Sequence, residues 1–335
     1  MSLESLAITN RVPQKTLSLS RPAKITLLLS LFVALTIFAF MTVDVKGNWD
    51  FVIPFRGTKI AAMALVGYAI AVSTVLFQTI TNNRILTPSV MGFDAMYVLI
   101  QTALVFLLGT QRMMALSPQL RFVIEVVLMV SFAALLYRWL FGGPRRSLHL
   151  LVLCGLIFGV LFRSLASFMQ RIIDPNEFAV LQDMLFASFN SFDRDLLVVS
   201  VVLVFAASAV AWRIRHTFDV LTLGRETAIS LGVDYRRVVS IILAVIAILV
   251  SVSTALVGPV TFFGLLVANM AYQLTDTYKH RWNLPCAAAL SLLFLIGGQM
   301  VVERVFSFNT SLSIIVEFLG GLMFIILLVR GVASR

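Results

Sequence analysis

Charge, cysteine and histidine are all scarce in this chain. Only 13% of its 335 residues are Asp, Glu, Lys or Arg, against 60% hydrophobic residues. A soluble domain of this length cannot hide that much apolar surface. The two cysteines, Cys154 and Cys286, each fall in or at the end of an apolar run, on the same side of the topology derived below, so no external disulfide joins them. His149, His216 and His280 are spread over three loops without metal-ligand spacing to Cys or a carboxylate, so the sequence offers no metal site. No glycine-rich phosphate loop occurs: Arg56-Gly57-Thr58-Lys59 lacks the upstream glycine. No HExxH, no Ser/His/Asp set and no facing carboxylate pair can be assembled. The chain carries no visible means of hydrolysing a nucleotide, and no convergent groups that suit an integral membrane enzyme.

What it has is apolar length. Runs long enough to cross ~30 Å of hydrocarbon predict an all-α polytopic membrane protein of about ten spans. They lie near 25–43, 59–80, 90–109, 121–141, 148–170, 195–212, 238–257, 259–275, 284–303 and 312–330, with residues 1–24 as a cytoplasmic tail. The first run is too long for a signal h-region and no cleavage site follows it, so it reads as a retained span. With the N-terminus inside, seventeen of the 26 Lys and Arg residues fall on cytoplasmic connections and nine outside. Both termini are then cytoplasmic. The net charge of +10 reflects this sidedness and does not imply nucleic acid. Asp94 falls near the inner end of span three, Glu125 and Glu317 near the outer ends of spans four and ten, and Arg163 in the outer third of span five. An acid at mid-bilayer, which an ion-coupled carrier needs, is absent from this reading.

Several local patterns stand out. The segment 221–237, LTLGRETAISLGVDYRR, is short, charged and amphipathic. Gly224 opens a helix, Glu226 sits in its first turn, and Leu231-Gly232 closes it, giving about two turns. Its apolar residues Ala228, Ile229 and Leu231 call for a partner surface, or rest on headgroups. The external loop 171–194 predicts a short helix after Pro175, with Phe178, Leu181, Leu185 and Phe189 at helical spacing. Asn82-Asn83-Arg84-Ile85-Leu86-Thr87-Pro88 and Gly142-Gly143-Pro144 are breaker-rich inner loops that either constrict a pore or simply turn the chain. Gly258-Pro259 marks a sharp external turn. On span five, Gly155, Gly159, Arg163, Ser167 and Arg171 form a small-to-polar stripe. The stripe packs on a neighbour or lines a watery path, and the two arginines favour the path. Arg56 and Lys59 before span two, and Arg304 after span nine, either snorkel or dock an acidic partner.

Together these segments resemble the permease subunits of ABC importers for iron chelates and vitamin B12, the FecCD type. The family's Arg-x-x-Arg before span two reads Arg56-Gly57-Thr58-Lys59 here. Its Gln at the end of span two and its Asn-Pro-Leu-Ala-x-Pro loop before a Gly are matched by Gln78, Asn83, Pro88 and Gly92 in FQTITNNRILTPSVMG (77–92). LGRETAISLG (223–232) matches its cytoplasmic Leu-Gly-x-x-x-Ala-x-x-Leu-Gly, and GPVTFFGLL (258–266) its Gly-x-Ile-x-Phe-x-Gly-Leu turn. The likeness runs from about residue 20 to the C-terminus. Three places depart from it: the loop 82–88 itself, Ala268-Asn269 where the family has Pro-His, and Lys59 for the second arginine. The TNNRILTPSVMGFD wording is similar to the catechol-siderophore subgroup.

The resemblance implies a type II importer permease in the bacterial inner membrane that passes a ferric siderophore inward. Heme or cobalamin is the alternative cargo, and an ion-coupled secondary transporter the rival from another class. It implies two cytoplasmic ATP-binding subunits holding the ATP and Mg, no cofactor on this chain, a periplasmic siderophore-binding protein, and a second permease, a heterodimer rather than a homodimer. Residues 222–236 would be the coupling helix, with Leu223, Gly224, Arg225, Glu226, Ala228, Leu231 and Gly232 at the ATPase. Arg56, Lys59 and Arg304 would meet the binding protein. Asn82, Asn83, Arg84, Ile85, Pro88, Gly142 and Gly143 would form the cytoplasmic gate. Gly155, Gly159, Arg163 and Ser167 would line the pathway.

Overall fold

The structure, a computed structural model, describes residues 20–43, 47–141, 148–190, 193–307 and 310–329. Among them it contains thirteen α-helices, two 3-10 turns and no strand. The helices are α1 (Arg21–Thr42), α2 (Trp49–Thr81), α3 (Phe93–Ala115), α4 (Pro118–Phe141), α5 (Leu148–Gln170), α6 (Pro175–Leu185) and α7 (Arg194–Arg213), then α8 (Phe218–Leu221), α9 (Arg225–Ser230), α10 (Tyr235–Val257), α11 (Phe263–Thr275), α12 (His280–Arg304) and α13 (Leu312–Val329). Eight of them are long and apolar enough to cross a membrane.

Short polar residues set several of the boundaries. Asn48, Asp174, Asp193 and Asp234 each accept a backbone N–H from the first turn of the helix they precede. Proline opens α1 and α6, where its missing N–H costs nothing. The helix predicted from residue 25 therefore starts at Arg21. α2 and α10 form the centre of the bundle. α2 packs on α12 and α10, and α10 also on α7 and α4. The α2 sequence suits this place, because Ala62, Gly67, Ala69, Ala71 and Ser73 let neighbours approach closely. α1 and α5 stay on the periphery, with Leu27, Leu31 and Phe38 or Leu153, Ile157 and Val160 turned outward.

Three expectations are revised or narrowed. The span predicted at 259–275 is helical only from Phe263. Thirteen residues rise about 20 Å, too short for ~30 Å of hydrocarbon. The predicted external helix exists as α6, but it packs on the protein: Leu181 is fully buried with Val105 and Met113 of α3. Glu177 of α6 also accepts the N–H of Thr110, freed where α3 is interrupted at Gly109. Finally, Gly155 and Gly159 pack closely on a neighbouring segment, one of the two roles open to the stripe. Both are buried against the 3-10 turn Pro88–Met91 and the glycine that follows it. Gly92 sits there at φ 89°, and a Cβ on Gly155 would lie 2.7 Å from the Met91 Cα. Only residues without a side chain let these two backbones meet.

Gly155→Ala is therefore expected to destabilise the protein by about 1–3 kcal/mol, since the obstructing atoms are backbone. Gly297→Ala on α12, where a Cβ meets nothing within 4 Å, serves as the neutral control. Thermal unfolding in detergent separates the two.

Candidate functional site

Polar groups gather in four places: α9, the loop after α2, the opposite end of the bundle, and the face of α5. α9 is built by its glycines. Gly224 takes φ 93°, ψ 166°, backbone that a side chain rarely allows. At the other end Gly232, at φ 84°, sends its N–H to Ile229 O (2.9 Å), and Val233 sends its own to Ala228 O (3.0 Å). This double closure satisfies the last carbonyls of a helix only six residues long. Ala228 is fully buried, and Phe218 and Leu221 anchor the preceding α8. Leu223, Ile229 and Leu231 are each at least half exposed, beside exposed Arg225 and Glu226. The helix is thus clamped on one side and presents apolar surface on the other.

The clamp has a polar joint that the spacing of residues along the chain does not reveal. Asp219 of α8 accepts the backbone N–H of His280 (2.9 Å) and its ring Nδ1–H (2.7 Å), while the other ring nitrogen lies 2.7 Å from Thr79 Oγ1. One carboxylate so caps α12 and ties α8 to α12 and, through the imidazole, to α2. Burial by itself raises the Asp219 carboxyl, but the His280 hydrogen bonds and the charges of His280 and Lys279 hold it below its ordinary value. A lowered carboxylate pKa means the joint is whole at neutral pH and fails only as pH falls below the usual carboxylate range.

The loop after α2 is pinned rather than loose. Asn82 takes a left-handed conformation, φ 50°, and Asn83 N–H returns to Gln78 O (3.2 Å). The Arg84 carbonyl accepts two amide donors, Gln78 Nε2 (2.7 Å) and Asn269 Nδ2 (2.9 Å). Asn83 Oδ1 receives the Ile85 N–H, and the Arg84 guanidinium lies over the Tyr272 and Tyr278 rings, 4.8 and 5.1 Å from their centroids. Pro88 is buried at the head of the 3-10 turn. The departures at 82–88 and at Asn269 therefore meet each other. Gly142 and Gly143 lie outside the described residues.

At the end away from α9, Arg56 donates to the carbonyls of Phe40 (2.6 Å) and Val43 (3.0 Å), and Arg304 to Val43 (3.1 Å). The two arginines cap the open C-terminus of α1. Lys59 is not a surface residue. Its ammonium is buried 3.1 Å from Glu303, whose carboxylate also takes the amide of Gln299. On α5, Arg163 and Ser167 are exposed, unlike the two glycines below them. The Arg163 charge acts on buried Asp94, which faces the hydroxyls of Ser89 and Thr261. Asp94 thus marks where the interruptions at 88–92 and 258–262 converge.

Long apolar helices around one short, clamped helix are the architecture of a polytopic membrane protein. The chain belongs to the FecCD transport family, whose model matches residues 23–330. It is 50% identical, over 92% of its length and 97% of the relative's, to the petrobactin import system permease protein YclO of Bacillus subtilis. It is 37% identical to the petrobactin import system permease protein FatC of Bacillus anthracis, over 83% of this chain and 79% of that one. Its fold is shared with a solved chain of an inward-facing ABC transporter described as of metal-chelate type, at a TM-score of 0.80 and 21% identity, covering 93% of this chain and all of that one.

Two outcomes test these contacts. Glu303→Ala removes the carboxylate from a buried ammonium and is expected to cost about 3–5 kcal/mol, while Lys59→Met with Glu303→Met recovers most of it, as read by thermal unfolding. Asp219→Ala is expected to speed hydrogen exchange across residues 218–232 about a hundredfold, with the centre of α10 unchanged, since it removes two hydrogen bonds to a charged acceptor.

Proposed function

We propose that this chain is the permease subunit of an ATP-driven importer of a ferric siderophore. Membership of the FecCD family and the identity to the two petrobactin permeases support the reading, and petrobactin is the cargo to test first. The observation that carries the mechanism is α9, a six-residue helix rooted by Ala228 and the Asp219–His280 joint, with Leu223, Ile229 and Leu231 bare. A helix this short has little stability alone. Fixed to the bundle, it transmits a push from a separate ATPase through α8 to α2 and α12.

In this reading the α9 end faces the cytoplasm, both termini are cytoplasmic, and the protein sits in the bacterial inner membrane. ATP and Mg are bound by partner subunits and no cofactor by this chain. A second permease, different from this one, completes the path. Arg163 and Ser167 face that path, and the pinned loop of Asn82, Asn83, Arg84, Ile85 and Pro88 narrows it on the cytoplasmic side. A periplasmic siderophore-binding protein docks over Arg304 and Arg56. Lys59 supports this patch from within by fixing α2 to α12.

Leu231→Asp, or Arg225→Glu with Glu226→Arg, is expected to weaken co-purification of the ATPase subunit tenfold or more, at the scale of an interface hot spot (about 2 kcal/mol), while binding-protein contact persists. Unchanged co-purification in both variants would sink the assignment of α9. Arg304→Glu is expected to do the reverse, slowing binding-protein association most at low salt. Uptake of ferric petrobactin by proteoliposomes of the assembled complex, dependent on ATP and indifferent to an ion gradient, distinguishes the importer from an ion-coupled carrier.

A further inference from the structure

Between α2, α7 and α12, on the half of the bundle that carries α9, lies a cavity of about 580 Å³. Its walls are apolar: Val72 and Leu76 of α2, Ala211 of α7, and Leu284, Pro285 and Ala288 of α12. A hydrogen bond from the Tyr68 hydroxyl to Ser208 Oγ (3.0 Å) lies in its lining. Its mouth carries exposed Trp212, Arg215, His216 and Arg281, with the Arg215 guanidinium 4.0 Å from the centroid of the Trp212 ring. Asp219 is the one acid in the lining; its Oδ1 takes both His280 bonds, and its side chain is half exposed.

Shape and charge together select an occupant. From Leu76 to Tyr68 the helix rises about 12 Å, close to the ~15 Å of hydrocarbon in one leaflet. A soluble anion has no use for an apolar shaft of that depth, and a neutral lipid has none for two arginines at its mouth. The geometry points to an anionic phospholipid of the leaflet on the α9 side, its phosphate between Arg215 and Arg281 and one acyl chain in the shaft. A bound phosphate there sits beside the Asp219–His280 joint. The lipid then stiffens the root of α9, whatever the cargo of the transporter.

The test uses the full chain in nanodiscs of phosphatidylcholine, doped with phosphatidylglycerol or phosphatidylcholine bearing dibrominated acyl chains. The chain has four tryptophans, so the difference between wild type and Trp212→Phe isolates the quenching of Trp212. Brominated phosphatidylglycerol is expected to half-quench Trp212 at a mole fraction about fivefold lower than brominated phosphatidylcholine, the preference due to even one arginine at the surface. Arg215→Ala with Arg281→Ala erases the preference. Ala288→Phe fills the shaft, leaves the charges in place and lowers the quenching, and it decides the matter if the double variant does not fold. Equal quenching by the two lipids, a preference untouched by either variant, or displacement of the lipid by soluble glycerol 3-phosphate would overturn the assignment.

Discussion

Backbone groups in a membrane interior have no water to fall back on, and this bundle breaks its helices in several places all the same. Several of these breaks are made good by side chains. Gln78 and Asn269 converge on the Arg84 carbonyl, and Glu177 takes the N–H that the interruption at Gly109 releases. Arg56 and Arg304 close the end of α1. These side-chain-to-backbone bonds join α2 to α11, α3 to α6, and α1 to α12. They do the work of connecting elements that, in lipid, gain little from hydrophobic association.

The same economy explains how a very short helix can serve as a contact. α9 buries one alanine and, with its flanking leucines, leaves three large apolar side chains exposed, so its position depends on what lies behind it. Behind it are Phe218, Leu221 and the Asp219 carboxylate. The carboxylate serves as the cap of α12 and, through His280, reaches Thr79 near the end of α2. α2 is the most central long helix of the bundle beside α10 and runs on to the Lys59–Glu303 pair at the opposite end. A displacement at α9 thus has a continuous route of packed and hydrogen-bonded groups into both the pinned loop after α2 and the far face.

The stripe on α5 shows why spacing alone misleads. Gly155, Gly159, Arg163 and Ser167 share a face of one helix, yet they serve two purposes. The lower pair admits the backbone of Met91 and Gly92; the upper pair is left outside the packed core. The switch happens where the 3-10 turn ends and α3 begins, and nothing in the helix's own sequence marks that level. Lys59 is a similar case. A basic residue before a span reads as an interfacial charge, and only the arrival of Glu303 from a helix more than two hundred residues later puts it inside.

From the sequence alone came the all-α membrane class, the short external helix after Pro175, and α9 with both its glycine closures. All of these are decided by composition or by neighbours within a few residues, where hydropathy, φ preference and capping act locally. The half-length α11, the burial of Lys59, the division of the α5 stripe, the Asp219–His280–Thr79 joint and the cavity behind Trp212 were settled only by tertiary structure. Each depends on two or more segments distant in the chain reaching one depth in the bundle. That depth follows from where the helices break and against which neighbours they pack, which no single stretch of residues encodes.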